Sequence, residues 1–164
     1  MGTAGAFALA GGLFPNAAQA VSLMDPFNLP TAVDGGVMKM GDGIAYAGGP
    51  RGKLDVYVQQ NPKGNAPVVM FIYGGGWSRG ERWEYDFVGR AFASRGFVAV
   101  IADYRLGPEV TYPAFLYDIA VAAKWVEDNI ATFGGNPDKL FLAGHSAGAY
   151  NAVMLGLDPT FLRE

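Results

Sequence analysis

Three unbroken apolar runs punctuate this chain, at residues 68–73, 97–102 and 140–143. Short runs without polar alternation are the mark of strands buried on both faces of a sheet. Between the first two runs, residues 84–94 carry Val88, Ala91 and Phe92 at helical spacing, with Gly96 as the stop. Between the second and third, Phe115, Ile119, Ala122, Ala123, Val126 and Ile130 recur with the helical period, and Pro113 suits the first turn of that helix. Gly134-Gly135-Asn136-Pro137-Asp138 is expected to end it and turn the chain into a strand over 139–143. An alanine-rich helical stretch follows residue 146. The order strand, helix, strand, helix, strand, helix predicts an α/β fold: a mostly parallel central sheet with helices on both faces. Ahead of it, residues 54–58 alternate apolar and polar, which predicts a half-buried strand.

The beginning of the chain follows other rules. Residues 21–51 are rich in Pro, Gly and Asp and read as an irregular lead-in with one short strand near 44–47. Residues 1–20 hold no charged side chain. Within them, residues 4–10 form a short apolar core, Pro15 breaks it, and Ala18-Gln19-Ala20 fits a small-residue cleavage site. That is the pattern of a secretory signal peptide without its usual basic start, and it predicts export to the periplasm or medium. The alternative is an N-terminal extension on a cytoplasmic protein. The stretch is too short and glycine-rich to span a bilayer. Residues 52–164 then read as one partial domain.

Composition narrows the chemistry. Twelve basic and fifteen acidic residues give a formal charge of −3 with no basic run, so nucleic acid and anionic membranes are poor partners. The chain has no cysteine and one histidine. Disulfides, thiol catalysis, cysteine zinc sites and histidine-rich metal sites are thereby excluded within it, and no cofactor is implied.

Chemistry is concentrated where the third apolar run meets Gly144-His145-Ser146-Ala147-Gly148. Gly-x-Ser-x-Gly between a strand and a helix lifts the serine hydroxyl to the tip of a sharp turn, with glycines where a side chain would strike the neighbouring strand or helix. The plainer alternative is a glycine-rich turn. A serine nucleophile needs a base to take its proton. His145, adjacent in a tight elbow, is expected to project away from the hydroxyl and pack beside the helix. A second motif, Tyr73-Gly74-Gly75-Gly76-Trp77, closes the first buried strand. Consecutive glycines let backbone N–H groups approach a carbonyl oxygen that gains charge. A flexible loop is the alternative, and a phosphate loop is disfavoured because no Gly-Lys-Ser/Thr follows.

These motifs occur in order with Asp103-Tyr104-Arg105-Leu106-Gly107-Pro108-Glu109, Tyr112-Pro113-Ala114 and Gly134-Gly135-Asn136-Pro137-Asp138. Over about residues 52–157 the chain resembles the α/β-hydrolase superfamily, in the carboxylesterase branch with hormone-sensitive-lipase-like and feruloyl-esterase-like enzymes. The resemblance implies Ser146 as nucleophile and the N–H groups of Gly75, Gly76 and Ala147 as the oxyanion hole. It implies structural roles for Asp103 and Arg105, and a substrate-side or core position for Trp77 and Tyr104. Two departures stand out. Tyr73 occupies a place where the family usually has histidine. The acid and histidine that follow the serine in the family are absent, and Asp158 and Glu164 lie too close behind Ser146 to serve. The fold is therefore expected to be truncated after the nucleophile helix. Two functional readings result. One is a serine carboxylic-ester hydrolase acting on a small-molecule ester through an acyl-enzyme, incomplete in this chain. The other is a non-catalytic, hydrolase-like binding or assembly subunit completed by another chain. An open edge at residues 140–143 is expected either to accept a complementing C-terminal fragment or to self-associate.

Overall fold

A computed structural model of the chain describes residues 36–162. Residues 1–20, expected to be an export signal, lie outside the described residues, as do 21–35 and 163–164. Five strands form one sheet among the described residues: β1 (Val37–Ala45), β2 (Lys53–Gln59), β3 (Ala66–Ile72), β4 (Val98–Ala102) and β5 (Gly135–Gly144). Their order is β1-β2-β4-β3-β5. β4, β3 and β5 run parallel, while β2 and β1 are added antiparallel on the β4 side. Three helices, α1 (Asp86–Ala93), α2 (Ala114–Asn129) and α3 (Ala147–Leu157), connect and cover the parallel strands. All five residues of β4 are buried, so the centre of the sheet is covered on both faces.

Local sequence explains most of these elements, with instructive exceptions. β1 is nine residues long, not the short strand expected near 44–47. Its register shifts on either side of Gly41, where the Ile44 side chain fills the space a Cβ would need. A bulged strand with glycines reads as irregular because the alternation of faces is interrupted. β2 is not half-buried: Leu54, Asp55, Val56, Tyr57 and Val58 are all buried. The polar position, Asp55, lies inside because Lys39, Arg82 and the Gly43 N–H all donate to it.

The first predicted helix splits into a 3₁₀ turn, Arg82–Tyr85, followed by α1. Gly89 and Ala93 are its buried residues, and the larger Val88 and Phe92 are only partly covered. A methyl group at Gly89 would run into the Tyr57 ring, so the closest approach to the sheet falls to the smallest side chains. α2 buries Phe115, Ile119, Ala122, Ala123 and Val126 as their period demands. Beyond it, a turn ending at Gly134 (φ 83°) leads into β5. β5 thus begins at Gly135 rather than at residue 139, although residues 136–139 bulge out between the Ala66↔Gly135 and Val68↔Leu140 pairs. Among the described residues β5 pairs only with β3, leaving Phe141 56% exposed beside an open edge. No helix of the described residues is long and apolar enough to cross a membrane.

Candidate active site

β3, β4 and β5 all end at the same side of the sheet, and the residues that follow them meet there: the glycine loop from Tyr73, Asp103, and Ser146. The crevice beyond the carboxyl ends of parallel strands is where α/β sheets bind ligands. At the end of β5 the chain turns through Ser146 with φ 52° and ψ −119°. That combination is one in which non-glycine residues cost of order 1–3 kcal/mol. It persists because packing dictates it. A methyl group at Gly148 would collide with the carbonyl oxygen of Ile72, and one at Gly144 with the backbone of Gly148. α3 is thus pressed against both the strand before it and β3, and the turn between has no room to relax. Ser146 is left exposed, at the N-cap of α3. The amide of Ala147, first residue of that helix, has no acceptor within the helix and stands at its positive end.

The glycine loop reaches this elbow directly. A Cβ at Gly74 would lie 2.8 Å from the His145 carbonyl oxygen and 3.1 Å from Ser146 Cβ. Gly75 and Gly76 follow with φ of 130° and 62°, and Ser78 closes the turn by donating its N–H to the Gly75 carbonyl at 3.2 Å. The structure therefore brings Gly74, where the glycine loop begins, against the turn of His145 and Ser146, with Gly75 and Gly76 next in the chain. His145 is exposed, and its Nδ1 lies 3.2 Å from the Tyr85 hydroxyl. Its ring sits by the 3₁₀ turn before α1 rather than beside α3, since Tyr85 offers it a polar partner.

Tyr73, where a histidine was expected, anchors the loop instead. Its hydroxyl donates to Asp103 Oδ1 at 3.0 Å and accepts from Arg51 at 3.1 Å. Its carbonyl accepts the Tyr104 hydroxyl at 2.8 Å, and the two rings stack 4.7 Å apart. Asp103 also takes the Arg82 N–H at 2.8 Å and the Arg82 guanidinium at 2.7 Å, while Arg82 Nε reaches Asp55 at 2.8 Å. Burial opposes the charge of Arg82, but hydrogen bonds to Asp55 and Asp103 outweigh it and raise its pKa. Sequence reasoning did not single out Arg82, Arg51 or Asp55. The one available signal was an aspartate within an otherwise apolar strand.

The other residues named from sequence divide cleanly. Tyr104 is buried core, and Asp103 is a buried brace. Arg105 lies at the surface, held by Asp118 through several hydrogen bonds, the shortest 2.6 Å. Trp77 is half-buried, stacked on Phe115 and edge-on to Tyr150.

Both the sequence and the fold have relatives among known proteins. The BD-FAE family profile matches residues 54–161. Carboxylesterase NlhH of Mycobacterium tuberculosis is 43% identical over 104 residues, which are 62% of this chain and 33% of that protein. An isoprenylcysteine alpha-carbonyl methylesterase of Arabidopsis thaliana is 37% identical over 110 residues, 67% of this chain and 26% of the relative. Among solved structures, esterase B of Lactobacillus rhamnosis superposes with a TM-score of 0.75 at 25% identity, covering 84% of this chain and 47% of that one. A thermostable esterase of Pseudomonas putida gives 0.66 at 31%, covering 77% and 40%. The chain thus spans between a quarter and a half of the length of these relatives.

Proposed function

Since the chain belongs to the BD-FAE family of the α/β-hydrolase superfamily, we propose that it is a serine carboxylic-ester hydrolase with Ser146 as its nucleophile. The observation that carries this reading is the backbone of Ser146, held at φ 52° by the packing of Gly144 and Gly148 at an exposed turn. In this reading Ser146 Oγ attacks the carbonyl carbon of a small-molecule ester. The carbonyl π pair moves to oxygen, and the N–H groups of Gly75, Gly76 and Ala147 receive that charge. The pair returns, the C–O bond to the alcohol breaks, and the alcohol leaves with the serine proton. Water then hydrolyses the acyl-enzyme.

The serine proton needs a base. The one imidazole of these 164 residues is engaged with Tyr85. We assign the base and its orienting acid to a complementing segment or chain that pairs along the free edge of β5. The 164 residues alone then hydrolyse activated esters slowly, since loss of triad members leaves a residual rate that derives from the oxyanion hole and binding. The test is release of p-nitrophenol from a short-chain ester by the chain and by Ser146→Ala. An acyl group found on Ser146 by mass spectrometry after incubation with the ester supports the reading, no acyl group there refutes it, and fast release that Ser146→Ala abolishes would place the base within the chain.

The open β5 edge also favours a second reading, a hydrolase-like assembly subunit without turnover of its own. A stable complex with a partner chain that brings no Ser146-dependent hydrolysis would establish it. Residues 1–20 we read as an export signal. Mass spectrometry of exported protein should then find Val21 at the N-terminus, and an intact leader on exported protein would refute cleavage.

A further inference from the structure

Trp77 follows directly on Gly76, and its indole Nε1–H donates to Asn151 Oδ1 at 3.0 Å. Asn151 lies on α3, five residues beyond Ser146. The bond spans 74 positions of sequence and ties the glycine loop to the helix that begins at the serine.

Packing alone gives no reason for this pair. Asn151 is 0% exposed on the otherwise largely apolar α3, and its Nδ2 has no hydrogen-bond partner. An unsatisfied buried donor is costly, so an apolar side chain that fits the same space would serve a purely structural helix better. Trp77 adopts φ 56°, rare for a bulky aromatic residue. It is also held from several other directions. Its carbonyl accepts the Gly107 N–H at 2.7 Å, Phe115 stacks at 5.6 Å between centroids, and Tyr150 meets it edge-on at 5.6 Å. The indole is therefore fixed in orientation, and Asn151 supplies the polar stop that fixes its reach toward α3.

We propose that Asn151 is a positioning residue for the oxyanion hole. By holding Trp77 it sets the separation between the N–H groups of Gly75 and Gly76 on one side and that of Ala147 on the other. This rests on the serine-esterase reading above. Donors arranged for a developing oxyanion lose most of their value when displaced by about 1 Å. The bond thus acts on rate through the loop it positions.

The test compares Asn151→Leu and Trp77→Phe in the full chain. Asn151→Leu removes both the acceptor and the orphan amide. Its melting temperature is expected to fall by a few degrees, because leucine is bulkier and the indole N–H loses its acceptor, while ester hydrolysis falls about 10- to 100-fold in kcat with KM little changed. Trp77→Phe deletes the same bond from the other side, keeps an aromatic ring against Phe115, and should lower the rate to a similar degree. Two measurements need no turnover: amide hydrogen exchange at Gly107, which bonds the Trp77 carbonyl, and nitrogen relaxation order parameters at Gly75 and Gly76. In Asn151→Leu, exchange should quicken and the glycine order parameters should fall. Unchanged exchange and unchanged glycine order in a folded Asn151→Leu would overturn the proposal, as would an unchanged hydrolysis rate. If Ser146 of the parent chain takes no acyl group from the ester, the esterase reading of this chain fails, and the exchange and relaxation data still decide whether Asn151 positions the loop.

Discussion

The phenol of Tyr73 donates to the carboxylate of Asp103 at 3.0 Å, joining the first residue beyond β3 to the first residue beyond β4. Asp103 is the better connected of the two, because Arg82 reaches it with both its backbone N–H and its guanidinium. Tyr73→Phe removes two hydrogen bonds, to Asp103 and from Arg51, and should cost about 2–3 kcal/mol. Asp103→Ala leaves Arg82 partly uncompensated as well and should cost about 3–5 kcal/mol. Urea unfolding of the two variants checks the ranking. Equal costs would mean that Asp103 is not the hub of this network.

Ser146 occupies a backbone conformation that suits glycine, so two substitutions that both remove the hydroxyl should part ways in stability. Ser146→Ala keeps the strain. Ser146→Gly should release it and exceed Ser146→Ala by about 1–2 kcal/mol, after the larger entropy loss of glycine on folding. Thermal melts of the pair, both inactive toward p-nitrophenyl esters, are the measurement. A Ser146→Gly variant less stable than Ser146→Ala would contradict the strain.

High pH should unfold the chain earlier than its charge balance implies. Burial is the main cause that pushes the hydroxyls of Tyr46, Tyr57, Tyr73 and Tyr104 above their ordinary range. A raised folded pKa means that the unfolded chain releases those protons first. Stability is then fully present below about pH 10 and falls as pH rises above it, with each tyrosine contributing about 1.4 kcal/mol per pH unit. Lys39 works in the same direction. Burial opposes its charge, but Asp86 and Asp55 more than offset that and raise its pKa. Melting temperatures between pH 8 and 11.5 should be level and then drop steeply, and Tyr57→Phe should soften the drop. A level profile to the upper limit would remove the buried tyrosines as its cause.

The open edge of β5 should make the chain self-associate. Unpaired backbone groups beside an exposed Phe141 are a template for another strand. Light scattering with size-exclusion chromatography should show mass rising with concentration, and Phe141→Lys should lower it. A monodisperse monomer at all concentrations would show the edge to be blunted.

What the sequence disclosed, and what it hid, follows from the range of the forces involved. The buried strands and α2 were legible because burial on both faces, or on one stripe, leaves a period in the chain. The Ser146 elbow was legible because close packing there admits only glycine at 144 and 148, and glycines are visible. Asp55 was misread because alternation reports which positions are polar, not whether a distant Arg82 will satisfy them. The buried stripe of α1 was misjudged because Tyr57, from another strand, demanded Gly89 where periodicity counted only large side chains. Asn151 gave no signal at all, since its partner Trp77 lies far away in sequence.

The crowding of Gly148 against the Ile72 carbonyl has one more consequence. The reach of the Ser146 hydroxyl into solvent is imposed from another strand, so a peptide of residues 135–157 would not reproduce it. Any event that parts α3 from β3 lets the turn open and the hydroxyl swing away. A reagent that acylates or phosphonylates Ser146 would thus report on the closure of the sheet itself, as a chemical gauge of how much of the molecule is folded at that moment.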